Sequence, residues 1–265
     1  MKFASVNGIT LHYRQEGRTE GVPLVFINSL GCDLRIWDDV VSRLSHQFAL
    51  IRYDQRGHGL SDAPPMPYSI SQLAEDVHGL LDHLGVESAV LVGVSVGGLV
   101  ALQTALDFPG RVTALVLCDT AAKIATDTYW NDRITALREH GMAFLADTIL
   151  ARWFAPDFIR QNPALYRGFY NMLTRIPLDG YIGTCLALRD TDLRDRLGEV
   201  HVPALVLCGA QDVVITPEIA RGLADSLPDA SFRLIEDAAH TPSVEQPEAV
   251  TVAITEFLKE NVYAE

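Results

Sequence analysis

The sequence is short of positive charge. It carries 21 basic against 34 acidic side chains in 265 residues, which gives a formal net charge of −13. Binding to nucleic acid requires a basic face, and anionic membrane surfaces attract basic patches. The charge balance therefore argues against both as partners. A small anionic substrate stays compatible with it, provided that a local arginine meets the negative charge.

Short motifs for disulfide frameworks, metal sites and dinucleotide binding are also absent. The chain has 4 cysteines and no C-x-x-C pair, so they are interpreted as reduced core residues rather than a disulfide framework or a zinc site. No H-E-x-x-H is present, and no G-x-G-x-x-G follows the first strand, which argues against a metal and a dinucleotide. The four cysteines are Cys32, Cys118, Cys185 and Cys208.

No apolar run reaches the roughly 18 residues of a membrane-spanning helix. The first residues, MKFASVNGITLHY, alternate between apolar and polar types. No signal peptide is visible in them, and we expect a soluble, cytoplasmic protein. The sequence leaves open whether copies of the chain form a homo-oligomer.

Short apolar runs bounded by turn residues predict the strands. Asn7-Gly8 joins the first two runs and is a strong hairpin signal. Most later runs are continuous, as in a parallel sheet that is buried on both faces. The predicted strands cover 3–6, 9–13, 24–27, 48–53, 89–92, 114–118, 204–208 and 232–235.

Helical patterns separate these strands. One covers 70–84, opened by Ser69 or Ser71 and closed by Gly85, and another begins at Pro247. The alternation predicts an α/β fold with a mostly parallel, twisted sheet flanked by helices. Residues 121–190 contain no clear strand, and we predict that they form a helical lid inserted after the sixth strand. The core would then comprise residues 1–120 and 191–265.

The segment GVSVGG at 93–98 follows an apolar strand and precedes an apolar helix. This is the G-x-S-x-G pattern of a nucleophile elbow. A sharp turn that holds the serine in a strained conformation leaves no room for neighbouring side chains, which explains the flanking glycines. Ser95 would stand at a helix N-terminus, where N–H groups favour a developing oxyanion. The pattern predicts Ser95 as a nucleophile; the alternative is a tight turn without chemistry.

A serine nucleophile needs a histidine base and an acid that orients it. In this architecture the acid precedes the histidine along the chain, and each follows a later strand. Asp212 in CGAQD and His240 in EDAAH satisfy that order. Asp119, at the end of the preceding strand, is the rival acid, and we interpret it as a cap or turn residue.

The oxyanion site requires a second backbone donor, which should come from the loop after the first parallel strand. That loop is NSLG at 28–31, so the N–H groups of Leu30 and Val96 are the predicted pair. His58 lies in a glycine-rich turn and precedes the nucleophile in the chain. We interpret it as a residue that shapes the backbone near the site.

Over essentially its whole length, the chain resembles the α/β-hydrolase family. Ser95, Asp212 and His240 match the catalytic triad of that family, and DQRGHGLSD at 54–62 matches its turn after the fourth strand. Within the family, the chain looks like the 3-oxoadipate enol-lactonase branch.

Three segments carry that closer resemblance: FINSLG at 26–31, YWNDRI at 129–134 and IPLDGYIGTCLALRDTDLR at 176–194. Many family members have His-Gly where this chain has Asn28-Ser29, and this departure is also typical of the enol-lactonase branch.

The resemblance implies hydrolysis of an enol-lactone that carries a carboxymethyl group, giving 3-oxoadipate, with no cofactor. The free carboxylate of such a small-molecule substrate needs a cationic partner. Arg133 is the candidate, with Arg138 and Arg152 as further candidates, and Trp130 and Trp153 could form the pocket wall.

Two other functions stay open at this point. One is a broader carboxylesterase or a cofactor-free perhydrolase or haloperoxidase, which the absence of an arginine near the nucleophile would favour. The other is a small-molecule receptor without turnover, although such a protein has no need for a complete triad.

Overall fold

The computed structural model describes residues 1–263. Its strands are β1 (Lys2–Val6), β2 (Ile9–Gly17), β3 (Leu24–Ile27), β4 (Ala49–Tyr53), β5 (Ala89–Val94), β6 (Val112–Cys118), β7 (Ala204–Gly209) and β8 (Ala230–Ile235). They form one eight-stranded sheet in the order β1-β2-β4-β3-β5-β6-β7-β8. The β1–β2 and β2–β4 pairs are antiparallel, and all others are parallel. The predicted α/β class and mostly parallel sheet are confirmed.

The α-helices are α1 (Asp38–Leu44), α2 (Ile70–Leu84), α3 (Val96–Asp107), α4 (Asp127–His140), α5 (Met142–Trp153), α6 (Pro156–Gln161), α7 (Pro163–Thr174), α8 (Leu178–Asp190), α9 (Pro217–Ser226), α10 (Pro242–Glu245) and α11 (Pro247–Asn261). The capping residue of α2 is Ser69, which accepts a hydrogen bond from the Gln72 N–H. Gly85 ends that helix in the left-handed conformation.

Burial explains the sequence pattern of the strands. Every residue of β3, β5 and β7 is buried, as expected for central parallel strands that are covered on both faces. The edge strand β8 is mostly partly exposed, which accounts for its more polar sequence. All four cysteines are free and buried.

Helices α4 to α8 lie between β6 and β7, at the place where the sequence predicts a helical insertion. We refer to residues 127–190 as the insertion; the exact division into core and lid stays a prediction. Within residues 1–263, no helix is both long enough and apolar enough to cross a bilayer.

The insertion approaches the core through two glycines. Gly180 on α8 packs its backbone on that of Gly57, in the turn after β4, and a Cβ built on Gly180 would lie 2.4 Å from the Gly57 carbonyl oxygen. A side chain at either position would push α8 away from the turn. The first glycine in the segment IPLDGYIG, Gly180, therefore sets how closely the insertion docks.

We expect Gly180→Ala to lower the free energy of unfolding by about 1–3 kcal/mol, because the added methyl group meets backbone that cannot rotate away. Gly222→Ala on α9 is the matched control, since a Cβ there meets nothing within 4 Å. This control should stabilise the protein by about 0.5–1 kcal/mol. Urea denaturation of both variants measures the difference, and equal effects would contradict the close docking of α8.

Candidate active site

The turn between β5 and α3 holds Ser95 in a strained backbone conformation. Its φ is +56°, a value that residues other than glycine rarely adopt. The turn needs glycine on both sides of Ser95: a Cβ on Gly93 would lie 2.2 Å from the Gly97 carbonyl oxygen, and one on Gly97 would lie 2.3 Å from the Ile27 carbonyl oxygen. The helix can begin this close to the strands only because those side chains are missing.

The end of β6 supports the strained serine. The Ser95 N–H donates to the Cys118 carbonyl oxygen at 3.0 Å. The Thr120 hydroxyl donates to the Ser95 carbonyl oxygen at 2.7 Å. The N–H and the carbonyl group of Ser95 therefore both form hydrogen bonds in the strained conformation. Such a conformation persists only where the surrounding structure holds it in place.

Asp212 and His240 meet although 28 residues separate them. Asp212 Oδ2 lies 2.7 Å from His240 Nδ1. The other carboxylate oxygen, Oδ1, accepts hydrogen bonds from the Val214 and Ile215 N–H groups at 2.6 and 3.1 Å. The Asp212 side chain is fully buried. A carboxylate fixed in this way holds the imidazole with its Nδ1–H towards the acid and leaves Nε2 free to accept a proton.

Ser95 and His240 line one cavity of about 550 Å³. Its floor comes from the strand ends and includes Leu30, while the insertion supplies the opposite wall. Trp130 and Trp153, which the sequence proposes as wall residues, both line it.

The predicted oxyanion donors, the N–H groups of Val96 and Leu30, belong to the start of α3 and to the loop after β3. Val96 is the first residue of α3, so its N–H has no acceptor within the helix. Leu30 lies in the loop after β3, and hydrogen bonds from the turn after β4 hold that loop. His58 Nε2 accepts from the Gly31 N–H at 3.1 Å, and Gln55 Nε2 donates to the Asn28 carbonyl oxygen at 2.7 Å.

His58 supports the backbone, as the sequence suggests. Its Nδ1 lies 3.1 Å from the Arg56 carbonyl oxygen, so this nitrogen carries the proton and Nε2 is free to accept. Burial lowers the pKa of His58, which keeps the ring neutral and preserves its bond to the Gly31 N–H. The sequence marks Asn28 only as a departure from the common family pattern, and it gives no indication that Gln55 binds the Asn28 carbonyl oxygen.

The candidate arginines are separated by the structure. Arg133 and Arg152 line the cavity, whereas Arg138 is exposed on α4 and lies outside the cavity wall. Arg138 is therefore not a candidate for contact with a ligand. Five residues along a helix turn the chain by about 140°, which puts Arg138 on a different face from Arg133.

Two tyrosines that the sequence reasoning missed organise these arginines. Tyr129 Oη accepts hydrogen bonds from Arg133 at 2.7 Å and from Arg152 at 2.8 Å. Arg133 also donates to Tyr181 Oη at 2.5 Å. Burial raises the pKa of Tyr181 far above its ordinary value, so this phenol stays neutral. Among residues 1–263, neither cavity arginine forms an ion pair with a carboxylate, and their positive charges are not neutralised.

Asp119 directly follows β6 and lies close to Asp212. It adopts a positive φ of 45°, and its Oδ1 accepts from the Gly209 N–H at 2.8 Å. The sequence interpretation as a turn residue therefore holds for its backbone, but its fully buried side chain reaches towards Asp212. Atoms of Asp119, Asp212 and Cys208 that could bind a metal lie within 4.8 Å of one another. Burial raises the pKa of Cys208, and the nearby Asp212 charge acts in the same direction, so its sulfur remains a thiol, which is a poor metal ligand.

A sequence profile described as the alpha/beta hydrolase fold matches residues 22–247. The chain belongs to the α/β-hydrolase family. The Acinetobacter baylyi protein named 3-oxoadipate enol-lactonase 2 is 36% identical over 251 residues, which cover 95% of this chain and 94% of the relative.

Solved structures agree with this family assignment. The enol-lactonase from Burkholderia xenovorans superposes with a TM-score of 0.95 at 38% identity, covering 97% of this chain and 100% of that one. A thermophilic esterase from Thermogutta terrifontis, described as malate bound, superposes with a TM-score of 0.90 at 31% identity, covering 95% and 94% of the two chains. This chain is thus a hydrolase with enol-lactonases among its relatives.

Glu245 on α10 ties the insertion of this α/β-hydrolase to the histidine loop. Its Oε1 accepts from the Ala155 N–H at 2.7 Å, and its Oε2 accepts from the Ala239 N–H, next to His240, at 2.8 Å. Burial raises the pKa of Glu245 to about 7 despite these hydrogen bonds, and the nearby Asp212 charge adds to the effect. The sequence contains no signal for this residue, because one of its two partners, Ala155, lies 90 residues away in the chain.

The raised pKa of Glu245 predicts a pH-dependent stability. Below pH 4.5 the carboxyl is protonated in both the folded and the unfolded protein. As the pH rises from 4.5 to about 7 the unfolded protein loses this proton first, so the folded state loses stability relative to a variant without the carboxyl. The quantity to compare is the unfolding free energy of the wild type minus that of Glu245→Gln. We expect this difference to fall by about 3 kcal/mol between pH 4.5 and pH 7.5.

Urea denaturation of both proteins at the two pH values checks this. A difference that does not change with pH would mean that Glu245 titrates as an ordinary exposed carboxyl. Glu248→Gln removes a carboxyl from an exposed site in the first turn of α11 and is the matched control.

Proposed function

We propose that this α/β-hydrolase opens 3-oxoadipate enol-lactone to 3-oxoadipate through an acyl-enzyme on Ser95. The observation that carries the proposal is the pair of cavity arginines, Arg133 and Arg152, which converge on one phenol oxygen without a carboxylate partner among residues 1–263. Because the cavity also contains Ser95 and His240, an anionic group and a reactive carbonyl of one small molecule can be bound together.

The chemistry follows from the positions of the groups. His240 Nε2 takes the proton of the Ser95 hydroxyl, and Oγ attacks the lactone carbonyl carbon. The N–H groups of Leu30 and Val96 donate to the oxyanion, which in comparable sites stabilises the transition state by about 3–4 kcal/mol for each donor. Asp212 holds the imidazole and stabilises its charged form.

Collapse of the tetrahedral intermediate breaks the ring C–O bond. The departing oxygen is that of an enolate, which is a better leaving group than an alkoxide. His240 returns its proton to the enolate, and tautomerisation of the resulting enol gives the ketone. Water, deprotonated by His240, then attacks the acyl-enzyme and releases the dicarboxylate. No step requires a cofactor.

Substrate selection rests on the insertion. The net charge of −13 repels an anionic substrate over distance, so the affinity has to come from local groups. Arg133 and Arg152 supply two guanidinium groups for a carboxylate, and Trp130 and Trp153 offer apolar surface to the ring. The enol-lactonases among the relatives and the esterase described as malate bound favour a small carboxylate ligand.

A broader carboxylesterase is the second candidate, and the similarity to the Thermogutta terrifontis esterase favours it. Both functions use Ser95, so the substrate has to separate them. We expect the purified protein to remove the ultraviolet absorbance of the enol-lactone much faster than it hydrolyses a p-nitrophenyl ester, and Ser95→Ala to abolish both activities. Ester hydrolysis with the lactone decaying at its spontaneous rate would leave only the esterase.

Substitution of the cavity arginine tests how the substrate is recognised. Arg133→Met should raise the KM for the enol-lactone about 10- to 100-fold, because a charge-assisted hydrogen bond of roughly 1.5–3 kcal/mol is lost. Hydrolysis of a neutral p-nitrophenyl ester should change little. Arg138→Met is the matched control on the same helix and should leave both activities unaltered. Equal losses with charged and neutral substrates would show that Arg133 only supports the fold.

A further inference from the structure

We infer that Asp119 is a positioning residue that carries a proton and donates it in a hydrogen bond to the Asp212 carboxylate, thereby weakening the hold of Asp212 on the charged form of His240. This inference rests on the catalytic roles proposed for Asp212 and His240, and it does not depend on which ester or lactone is the substrate.

The two carboxyl groups lie in an enclosure without access to solvent. Asp119 is 0% exposed and Asp212 is 3% exposed, and polar atoms of the two side chains lie within 4.8 Å of each other. Two ionised carboxylates at this distance repel each other strongly when no water screens them. One of the pair therefore keeps its proton at neutral pH.

The hydrogen bonds decide which of the two carries the proton. Asp212 is surrounded by donors: the Val214 and Ile215 N–H groups bind one oxygen, and His240 binds the other. Asp119 accepts from a single group, the Gly209 N–H, and its Oδ2 is buried without a partner among residues 1–263. Donors favour the ionised form, so Asp212 is the carboxylate, and the unpartnered oxygen of Asp119 is the one that carries hydrogen.

The other titratable groups near Asp119 reinforce this assignment. Burial and the Asp212 charge hold the pKa of Asp119 well above its usual range, and the Glu245 charge acts in the same direction. Each neighbour is either an acid or a thiol, and the imidazole of His240 contacts Asp212. These neighbours are Cys118 on β6, Cys208 on β7, Asp212 in the loop after β7 and Glu245 on α10.

The backbone shows that Asp119 is held for this contact. Its φ of 45° is strained, and its N–H donates to the Leu207 carbonyl oxygen at 2.9 Å. Cys118 and Thr120, the residues on either side, both hydrogen-bond to Ser95. One turn thus binds Ser95 through Cys118 and Thr120 and places Asp119, between them, next to Asp212.

The hydrogen bond has a chemical consequence for His240. A carboxylate that already accepts a proton donor attracts the imidazolium less strongly. Asp119 therefore weakens the hold of Asp212 on the charged imidazole, which favours the neutral imidazole that can accept the Ser95 proton.

Two substitutions test this with any substrate that the protein turns over. Asp119→Asn keeps a donor for Asp212 and an acceptor for Gly209, so the acid limb of the kcat/KM profile should stay at the wild-type pH. Asp119→Leu has a similar size but no donor. We expect it to move the acid limb to higher pH and to lower kcat/KM at pH 7 about 10-fold. Asp225→Asn, at an exposed site on α9, is the control for loss of a carboxyl.

The opposite outcome is equally clear. If Asp119 were ionised, both Asp119→Asn and Asp119→Leu would remove a negative charge near His240 and shift the acid limb to lower pH. An Asp119→Leu variant whose kcat/KM profile has its acid limb at the wild-type pH would also overturn the inference.

An infrared measurement gives a readout that needs no activity. The wild-type minus Asp119→Asn difference spectrum at pH 7 should contain the carbonyl stretch of a protonated carboxyl, and its absence would overturn the assignment even if Asp119→Leu failed to fold. If the protein had no hydrolytic activity, the proposed function would fail, while the infrared band would still show where the proton lies.

Discussion

The rest of the site depends on the close approach of α3 to the ends of β3 and β5. Ser95 can occupy its strained conformation because Gly93 and Gly97 let backbone meet backbone at distances that no Cβ would allow. The same approach brings the start of α3 against the loop that carries Leu30, since a Cβ on Gly97 would also lie 2.8 Å from the Asn28 carbonyl oxygen. The proposed nucleophile and the proposed oxyanion donors thus depend on one steric constraint, and hydrogen bonds with the end of β6 and with Thr120 maintain it.

The molecule separates chemistry from recognition. The groups proposed to react stand at the carboxyl ends of the strands, where parallel sheets bring distant loops together. The charges that would select a substrate stand on the insertion, where Tyr129 keeps two guanidinium groups next to each other against their mutual repulsion. Related hydrolases can therefore share the first set of groups while differing in the second.

Local patterns in the sequence predict the sheet, the caps of α2, the elbow and the order of Asp212 and His240, because each of these depends on a few neighbouring residues. Tyr129 could also have been found, since it lies one helical turn before Arg133 on the same face. Glu245 and the side chain of Asp119 could not, because their roles come from partners on other elements, with 90 residues between Asp119 and Gly209. Only the packed tertiary structure defines such contacts.

Glu245 has a consequence for how this protein can have changed during its history. One carboxylate serves an amide of the insertion and an amide of the histidine loop. A recombination event that exchanged helices α4 to α8 alone would have to bring an amide to the position of Ala155, or leave a buried negative oxygen without its donor. The course of the chain between α5 and α6 is therefore coupled to the C-terminal part of the chain through one side chain.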